Sequence, residues 1–404
     1  VSWLVMSIMG SLPYFLSGAI PSWINALFES VSGFTTTGSS ILTDIEAIPK
    51  SILFWRSLTH WIGGIGIIVL VIVVMPTLQI GGYQLFTLES SLQEKIQPKI
   101  KSVGARLLLI YLSLTAAEVI FLLLGQMDLF NSVCHAFGTV ATGGFSPRNS
   151  SIAEYSPYIQ YVIMIFMLLA GTNFVMHYYL FKRDFNKIRN NEELRFYFIT
   201  ILVIGMIISG ILFLKTEKPL ELSVREGFFQ VISIITCTGF ATADYLLWPN
   251  IAWGILFFAM FLGGSTGSTA GGIKMARHLV AIKNIRRSFR QLAAPHAILQ
   301  VRLNRIAIHD DTNNSILTFI AIYLLFFLGG SILLVFMGID ERTAESAVAT
   351  CMGGRGPGIG TVGPASIFAR LPDPAKLLLS FVMLAGRLEI YTILILFTPT
   401  FWIK

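Results

Sequence analysis

The sequence predicts an all-α polytopic membrane protein in which four similar units surround one central axis. Hydrophobic residues make up 54% of the 404 residues, charged residues only 13%, and the mean hydropathy is +0.72. A soluble domain carries about 25% charged residues. Apolar runs of about 20 residues, the length that crosses a bilayer, recur along the chain. A short turn rich in Thr and Gly also occurs four times, which predicts a repeated unit with pseudo-fourfold symmetry.

The first copy of this turn is TTTGSS at 35–40, and similar segments stand at 140–145, 236–241 and, more loosely, 354–359. The anchoring glycines of the four copies are predicted to be Gly38, Gly143, Gly239 and Gly356. Each copy follows a short segment and precedes a longer apolar run. A helix over the first short segment, 21–34, would rise only about 21 Å. Such a helix is too short to cross, so it is predicted to enter the membrane and return.

Each unit has the order span, short helix, turn, span. The first unit, 1–75, is predicted to hold a helix at 1–18, the short helix at 21–34 and a span at 51–75. Because the chain opens inside an apolar run, we expect the natural protein to begin further upstream. The second unit, 76–181, is predicted to hold a span at 104–126, a short helix at 129–139 and a span at 155–181. The third unit, 182–305, is predicted to hold a span at 195–214, a short helix at 222–235 and a broken span from 249. The fourth unit, 306–404, is predicted to hold a span at 315–337, a short helix at 342–352 and a span at 375–401.

Positive charge is concentrated in three loops, at 76–106, 182–195 and 274–305, which hold 17 of the 29 Lys and Arg residues. Basic loops stay on the cytoplasmic side of a membrane protein, which orients the chain. The 274–305 stretch would also attract anionic lipid or nucleic acid. Because the chain has many predicted spans, we favour the interpretation that these loops set the orientation in the membrane over the one in which they bind lipid or nucleic acid.

The repeated turn suits a selectivity filter. Irregular backbone at membrane depth is tolerated where protein or a water-filled cavity surrounds it, and a ring of carbonyl oxygens can replace the hydration shell of a monovalent cation. Glycine permits the positive φ that aligns successive carbonyls. The residues predicted to form this filter are Thr36, Thr37, Gly38, Ser39, Ala141, Thr142, Gly143, Gly144, Cys237, Thr238, Gly239, Phe240, Gly354, Arg355, Gly356 and Pro357. None of them carries a carboxylate, which disfavours a divalent cation.

Five motifs in this order and spacing resemble the Trk/Ktr/HKT superfamily of potassium transporters over essentially the whole chain: TTTGSS at 35–40, ATGGFS at 141–146, TCTGFA at 236–241, GPGIGTVGP at 356–364 and LAGRLEIYT at 384–392. The resemblance implies four helix–pore-helix–helix units and K⁺ as the transported ion, bound at the filter positions, without an organic cofactor. It further implies a homodimer in the bacterial inner membrane, seated on a TrkA-like ring of cytosolic nucleotide-binding subunits. Members carry extra N-terminal helices.

Arg355 departs from what the resemblance implies, namely an amide or a small apolar residue beside Gly356. A cation at the filter would raise the barrier to potassium. If the side chain instead points away from the path, it would pair with a carboxylate behind the turn. The sequence leaves these two alternatives open.

The span that starts near Pro249 is interrupted by ten consecutive small residues, which are Gly263, Gly264, Ser265, Thr266, Gly267, Ser268, Thr269, Ala270, Gly271 and Gly272. A Walker-type phosphate loop is excluded, because that motif needs Lys directly after the last glycine and then Ser or Thr. Here Ile273 separates Gly272 from Lys274, and Met275 follows. An inert flexible kink is one remaining interpretation. The resemblance favours the other, a gate beneath the filter.

Arg387 lies in the middle of the final predicted span, where an ionised residue costs at least about 2.5 kcal/mol without a partner or a cavity. One interpretation is an ion pair with Glu389 or with Glu118. The resemblance favours a positive charge beside the ion path that belongs to the gate. Glu29 and His135 lie in short helices and are predicted to support the filter. The remaining histidines and the three cysteines show no metal-ligand spacing.

Three functions compete. A channel-like translocator fits the fourfold turn. An ion-coupled secondary transporter, moving K⁺ with H⁺ or Na⁺, usually carries a pair of broken helices in two related halves, and only one span is predicted to be broken. A membrane enzyme is disfavoured, because neither His-Glu-x-x-His nor Gly-x-Ser-x-Gly occurs. The sequence therefore predicts a potassium channel-like transporter and no enzymatic activity.

Overall fold

The computed structural model of the chain describes residues 2–69, 100–297 and 299–394. Three predicted features fall partly outside them. These are the end of the span at 51–75, most of the basic loop at 76–106 and the end of the final span at 375–401. Within the described residues the chain is predominantly helical.

The first half of the chain forms helices that follow the predicted order closely. Their bounds are α1 (Ser2–Leu16), α2 (Trp23–Phe34), α3 (Lys50–Val69), α4 (Ile100–Leu124), α5 (Leu129–Val140), α6 (Pro157–Ala170), α7 (Phe174–Phe181) and α8 (Phe185–Arg189). The predicted short helices at 21–34 and 129–139 correspond to α2 and α5.

The second half adds the remaining helices and one small hairpin. Their bounds are α9 (Glu192–Lys215), α10 (Leu220–Ile235), α11 (Asn250–Ala259), α12 (Met275–Ala293), β1 (Arg302–Leu303), β2 (Ile306–Ala307), α13 (Asp310–Phe336), α14 (Glu341–Gly353), α15 (Asp373–Arg387) and α16 (Ile390–Leu394). The strands β1 and β2 pair antiparallel. The predicted short helices at 222–235 and 342–352 correspond to α10 and α14.

Each short helix packs between the helices that precede and follow it. Thus α2 contacts α1 and α3, α5 contacts α4 and α6, α10 contacts α9 and α11, and α14 contacts α13 and α15. Contacts to the neighbouring quarter run in chain order, since α5 also packs on α3 and α10 on α6. The first short helix closes the circle by packing on α15. This arrangement brings the C-terminal ends of the short helices together.

Three helices within the described residues are long and apolar enough to cross a bilayer by themselves, over Gly104–Leu124, Glu192–Lys215 and Asp310–Phe336. The outward faces of these helices carry large apolar side chains that remain exposed, such as Leu109, Leu202 and Leu325. In a chain of this composition such faces are covered by lipid. The protein is an integral membrane protein.

The single span predicted over 155–181 is wrong. The chain bends by 100° between α6 and α7, and the break lies at Gly171, Thr172 and Asn173. Asn173 caps the new helix, because its side-chain oxygen accepts the backbone N–H of Val175 at 2.8 Å. The prediction that only one span is broken therefore fails as well. The described residues contain this break in addition to the interruption at 263–272.

Candidate functional site

The four predicted turns share one backbone conformation. Each short helix is followed by a residue with left-handed φ, and these residues are Thr36, Thr142, Cys237 and Gly354, with φ of 51°, 54°, 59° and 65°. The next residue donates its N–H to the carbonyl five positions earlier, over 2.8–3.0 Å, in the pairs Thr37 to Ser32, Gly143 to Gly138, Thr238 to Ser233 and Arg355 to Thr350. This is the Schellman helix ending. A glycine with φ between 76° and 87° then follows in every copy, as Gly38, Gly144, Gly239 and Gly356.

This pattern corrects the register of the second copy. The glycine equivalent to Gly38 is Gly144, whereas Gly143 was predicted. Gly143 instead makes the backbone hydrogen bond that Thr37 makes in the first copy. Ala141 still has helical φ and is the C-cap residue of α5, as Thr35 is of α2. The two residues are therefore equivalent. The correct register is visible in the sequence as the Gly-Phe pair at 144–145, which matches the pair at 239–240, but the prediction placed the anchor at the adjacent Gly143.

The four turns meet edge to edge. A Cβ on Gly38 would overlap the carbonyl oxygen of Gly143, one on Gly144 that of Thr238, and one on Gly239 that of Arg355. The circle closes less tightly at the fourth copy, where a Cβ on Gly356 would lie 3.1 Å from the carbonyl oxygen of Gly38 and 3.3 Å from that of Thr37. In the other three copies the nearest carbonyls belong to equivalent residues, and we call Thr37, Gly143, Thr238 and Arg355 with their following glycines the ring.

One side of the ring opens into a cavity of about 110 Å³ lined by residues of all four turns. Ser39 lies here and donates its hydroxyl to the Gly356 carbonyl at 3.0 Å. The loops around the cavity include Asp44, whose pKa is held below its ordinary value by a hydrogen bond from the Asn149 side chain. That carboxylate therefore stays charged at neutral pH.

Phe240 and Pro357, the last predicted filter residues of their copies, turn their carbonyls back onto the short helices. The Phe240 oxygen accepts the Ser233 hydroxyl at 2.7 Å. The Pro357 oxygen accepts the Thr350 hydroxyl at 3.1 Å. Since these oxygens are engaged, the structure brings Phe240 and Pro357 next to the ring but not into it.

Behind the ring, the turns are supported in three different ways. In the first and third copies a pair of threonine hydroxyls meets at 2.8 Å, as Thr35 with Thr37 and Thr236 with Thr238. In the second copy the equivalent space is filled by the imidazole of His60 from α3, which a Cβ on Gly143 would overlap.

In the fourth copy the space is filled by the guanidinium of Arg355, which is fully buried. The predicted carboxylate partner is replaced by backbone carbonyls. Arg355 donates Nε to the Ile234 oxygen at 3.1 Å and Nη2 to the Leu262 oxygen at 2.5 Å. The side chain thus points away from the ring while its carbonyl faces it.

A buried ion pair supports the first and second copies. Glu29 on α2 pairs with Arg56 on α3 at 2.6 Å and accepts the backbone N–H of Ile41 at 2.9 Å. Arg56 also lies 3.5 Å from the centre of the Phe145 ring and donates to the Ser146 carbonyl at 2.9 Å. His135, from α5, contacts the Ser146 hydroxyl at 3.1 Å. The supporting positions of Glu29 and His135 agree with the prediction, whereas sequence reasoning missed Arg56.

Residues 263–272 form a closed loop directly beside the ring. Its neck is closed by the Gly263 N–H, which donates to the Ile273 carbonyl at 2.8 Å. Its body reaches the ends of two short helices. The Thr269 hydroxyl donates to the Val140 carbonyl at 3.1 Å, and a Cβ on Gly271 would overlap the Gly353 carbonyl.

The same loop occupies the break between α6 and α7. The Ser265 N–H donates to the Gly171 carbonyl at 2.9 Å, and the Phe174 N–H donates to the Gly267 carbonyl at 3.1 Å. The backbone groups that the bend leaves without helical partners are therefore satisfied by the loop. The two broken spans depend on one another.

Charged side chains from distant parts of the chain hold the loop. Arg387 donates Nη1 to the Thr269 carbonyl at 2.7 Å. Glu193, at the start of α9, accepts the backbone N–H of Thr266 at 2.7 Å and that of Ala276 at 3.0 Å through one oxygen. Lys274 donates to the Ala270 carbonyl. Sequence reasoning missed Glu193, because an acidic residue in the first turn of a helix ordinarily indicates only dipole complementarity.

The predicted ion-pair alternative for Arg387 finds no support in the described residues. Glu389 forms its ion pair with Arg277 at 2.8 Å. Glu118 is buried on α4 and forms no ion pair within the described ranges. Arg387 therefore acts on the loop through a backbone carbonyl.

Comparison with known proteins identifies relatives over the whole chain. A family model described as TrkH, cation transport protein, matches residues 1–402. The Trk system potassium uptake protein TrkH of Escherichia coli K12 is 35% identical over 409 residues, which cover 99% of this chain and 84% of that protein. The Trk system potassium uptake protein TrkI of Halomonas elongata is 36% identical over 406 residues, or 100% of this chain and 82% of that protein.

A solved structure is also similar over the whole length. The crystal structure of the potassium transporter TrkH from Vibrio parahaemolyticus superimposes with a TM-score of 0.90 at 33% sequence identity. The match covers 99% of this chain and 84% of that one.

Proposed function

Since the chain belongs to the TrkH family of cation transport proteins, we propose that it mediates potassium uptake across the bacterial inner membrane. Two relatives that match its full length are potassium uptake proteins of the Trk system. Transport requires binding and release of an ion, and no covalent chemistry follows from the site.

The observation that carries the proposal is the ring. The ring glycine of each turn approaches a carbonyl oxygen of the next turn around the circle, and the four turns share one backbone conformation. We assign the ring, with Thr36, Thr142 and their equivalents and with Ser39, as a potassium filter in which carbonyl oxygens replace the hydration shell. In this assignment the second filter segment begins at Thr142 rather than at Ala141. The four short helices then act as pore helices of four repeats.

The 263–272 loop and Arg387 form the proposed gate. The loop contacts the carbonyl ends of the second and fourth short helices, at Val140 and Gly353, so it lies against one face of the ring. The cavity described above, which Ser39 and Ser40 line, also borders the four turns. An ion that leaves the ring on the loop side must displace residues such as Thr269 and Gly271. Release of the Arg387 hydrogen bond would free the loop to move.

The partners are proposed to be a second copy of this chain and a TrkA-like cytosolic ring. The basic helix α12 supports the assignment of the cytosolic ring. Arg286 and Arg290 are exposed on this helix, and Arg287 forms only a loose ion pair with Asp310, at 3.8 Å. Neutralising Arg286, Arg287 and Arg290 together should weaken co-purification with the ring and make the residual binding less sensitive to salt. Undiminished co-purification would place the contact elsewhere.

The proposed function is tested by cation flux through the purified protein in liposomes. We expect flux of K⁺ and Rb⁺ that saturates at high concentration and exceeds that of Na⁺. Competition among the three ions, measured on one preparation, gives the order of affinity. Equal flux of all three, or none, would contradict a potassium filter.

A second candidate is ion-coupled secondary transport, and the bend at Gly171–Asn173 favours it. Two broken spans in successive units, joined through the loop, resemble the discontinuous helices of coupled transporters. The liposome assay separates the two candidates. Uphill movement of Rb⁺ driven by an imposed pH or Na⁺ gradient would establish coupling, whereas flux that follows only the Rb⁺ gradient supports the channel.

A further inference from the structure

We propose that Arg355 is a positioning residue that couples the gate loop to the potassium filter. The proposal rests on the function assigned above, and it gives this residue a role that neither the ring nor the loop has alone. Its backbone carbonyl lies in the ring against Gly239. Its guanidinium reaches the neck of the loop.

The guanidinium joins three separate segments. It donates to the Ile234 carbonyl in the last turn of the third short helix and to the Leu262 carbonyl immediately before the loop. On the other side of the neck, a Cβ on Gly272 would lie 2.6 Å from Nη2. The planar fork of arginine suits this arrangement, because its N–H groups diverge in fixed directions.

The contact lies where the two ends of the loop meet. Leu262 forms an isolated parallel bridge with Ile273, so Arg355 holds the neck while Arg387 holds Thr269 farther along the loop. A displacement that starts at Thr269 must pass the neck before it reaches α11. Arg355 is therefore placed to transmit it to the ring.

Burial makes the contact stiff. Arg355 is fully buried, and the Tyr323 hydroxyl on α13 also interacts with its guanidinium. Losing the hydrogen bonds to Ile234 and Leu262 would leave a buried charge with little compensation, which is costly. The guanidinium is expected to follow the Leu262 carbonyl when the neck moves, and its own backbone carbonyl moves with it.

Coupling of this kind is a free energy between two sites, so a double-mutant cycle measures it. Arg387→Ala releases the loop, and Arg355→Met replaces the fork by an apolar side chain. The readout is the half-saturating Rb⁺ concentration for liposome flux, which reports the filter. We expect Arg387→Ala to shift it by about fivefold or more when Arg355 is present. In the Arg355→Met background the shift should fall below about twofold, the scatter of independent sites.

Arg355→Lys separates charge from geometry. Lysine keeps the positive charge but lacks the fork that contacts Ile234 and Leu262 together, so it should behave like methionine. Restoration of the full shift by lysine would show that charge alone acts, and would overturn the proposal. The same shift in all backgrounds, or no shift with Arg355 present, would overturn it too.

The loop side offers a test that leaves Arg355 in place if its variants do not fold. Gly272→Ala pushes a methyl group against the guanidinium and should alter the half-saturating Rb⁺ concentration. Gly338→Ala is the matched control, because Gly338 also has positive φ but would meet nothing within 4 Å. Equal effects of the two would contradict the coupling. Absence of potassium-selective flux in the unmodified chain would instead refute the proposed function.

Discussion

The ring and the loop at 263–272 are both built from small residues at membrane depth, yet they are held in different ways. The ring turns are stabilised mainly within each copy. Their Schellman hydrogen bonds span five residues, from Thr37 to Ser32 in the first copy. The loop is stabilised by groups far away in the chain, as when Arg387 binds Thr269 and Glu193 binds Thr266.

This difference has a mechanical consequence. A turn whose hydrogen bonds are local keeps its shape as long as its helix persists, which suits a filter that must not deform. A loop that depends on a few long-range hydrogen bonds can be released by changing one of them, which suits a gate. Each of these bonds contributes about 1.5–3 kcal/mol when one partner is charged. The comparison predicts that ring substitutions alter selectivity directly, whereas loop substitutions alter the rate and reach the filter only through Arg355.

The largest effect is expected for alanine at the ring glycines Gly38 and Gly239. Left-handed φ costs a residue with a Cβ about 1–2 kcal/mol, and the methyl group would also overlap the neighbouring carbonyl. Discrimination of K⁺ over Na⁺ should fall by about tenfold or more, which corresponds to about 1.4 kcal/mol. The measurement is competitive Rb⁺ flux in liposomes.

A matched control for strain is Gly18→Ala. Gly18 also has positive φ, but a Cβ there would meet nothing within 4 Å. It should leave discrimination unchanged. If both ring variants kept parental selectivity, the filter assignment would be wrong.

An intermediate effect is expected for Arg387→Ala, which removes the hydrogen bond to Thr269. Flux should rise, because the loop is no longer held against the ring, and the half-saturating Rb⁺ concentration should shift with it through Arg355. Lysine should give an intermediate rate, since it keeps the charge and loses the fork. If Arg387 were purely structural, alanine would lower the stability by about 1–3 kcal/mol, the cost of leaving the Thr269 carbonyl without its donor, and flux would not rise. Melting temperature and flux on one preparation decide between these outcomes.

The smallest effect is expected for Glu193→Gln. The amide oxygen can still accept the N–H groups of Thr266 and Ala276, but the hydrogen bonds lose the charge that strengthens them. A loss of about 1 kcal/mol should raise flux about two- to fivefold. Flux through Glu193→Ala, which removes the acceptor altogether, should exceed that through the glutamine variant. The reverse order would mean that Glu193 does not restrain the loop.

Much of the fold follows from local features of the sequence. Apolar runs and turn residues predicted the order of long and short helices, because segment length and glycine position act over a few residues. The motif TTTGSS and its partners predicted where the turns lie. The prediction placed the anchor of the second turn at Gly143, although the Gly-Phe pairs at 144–145 and 239–240 align Gly144 with Gly239.

Tertiary structure decided what holds those elements in place. The bend at Gly171 could not be predicted from the apolar run that contains it, because the 263–272 loop, nearly a hundred residues away, stabilises it. The partners of Arg355 are carbonyls of other segments, and a carbonyl has no sequence signature. The sequence by itself therefore determined the four short helices, the places of the four turns and the family, because these depend on residues close together in the chain. Only the packed molecule decided which buried charges meet which backbone groups, since that depends on the distances between helices.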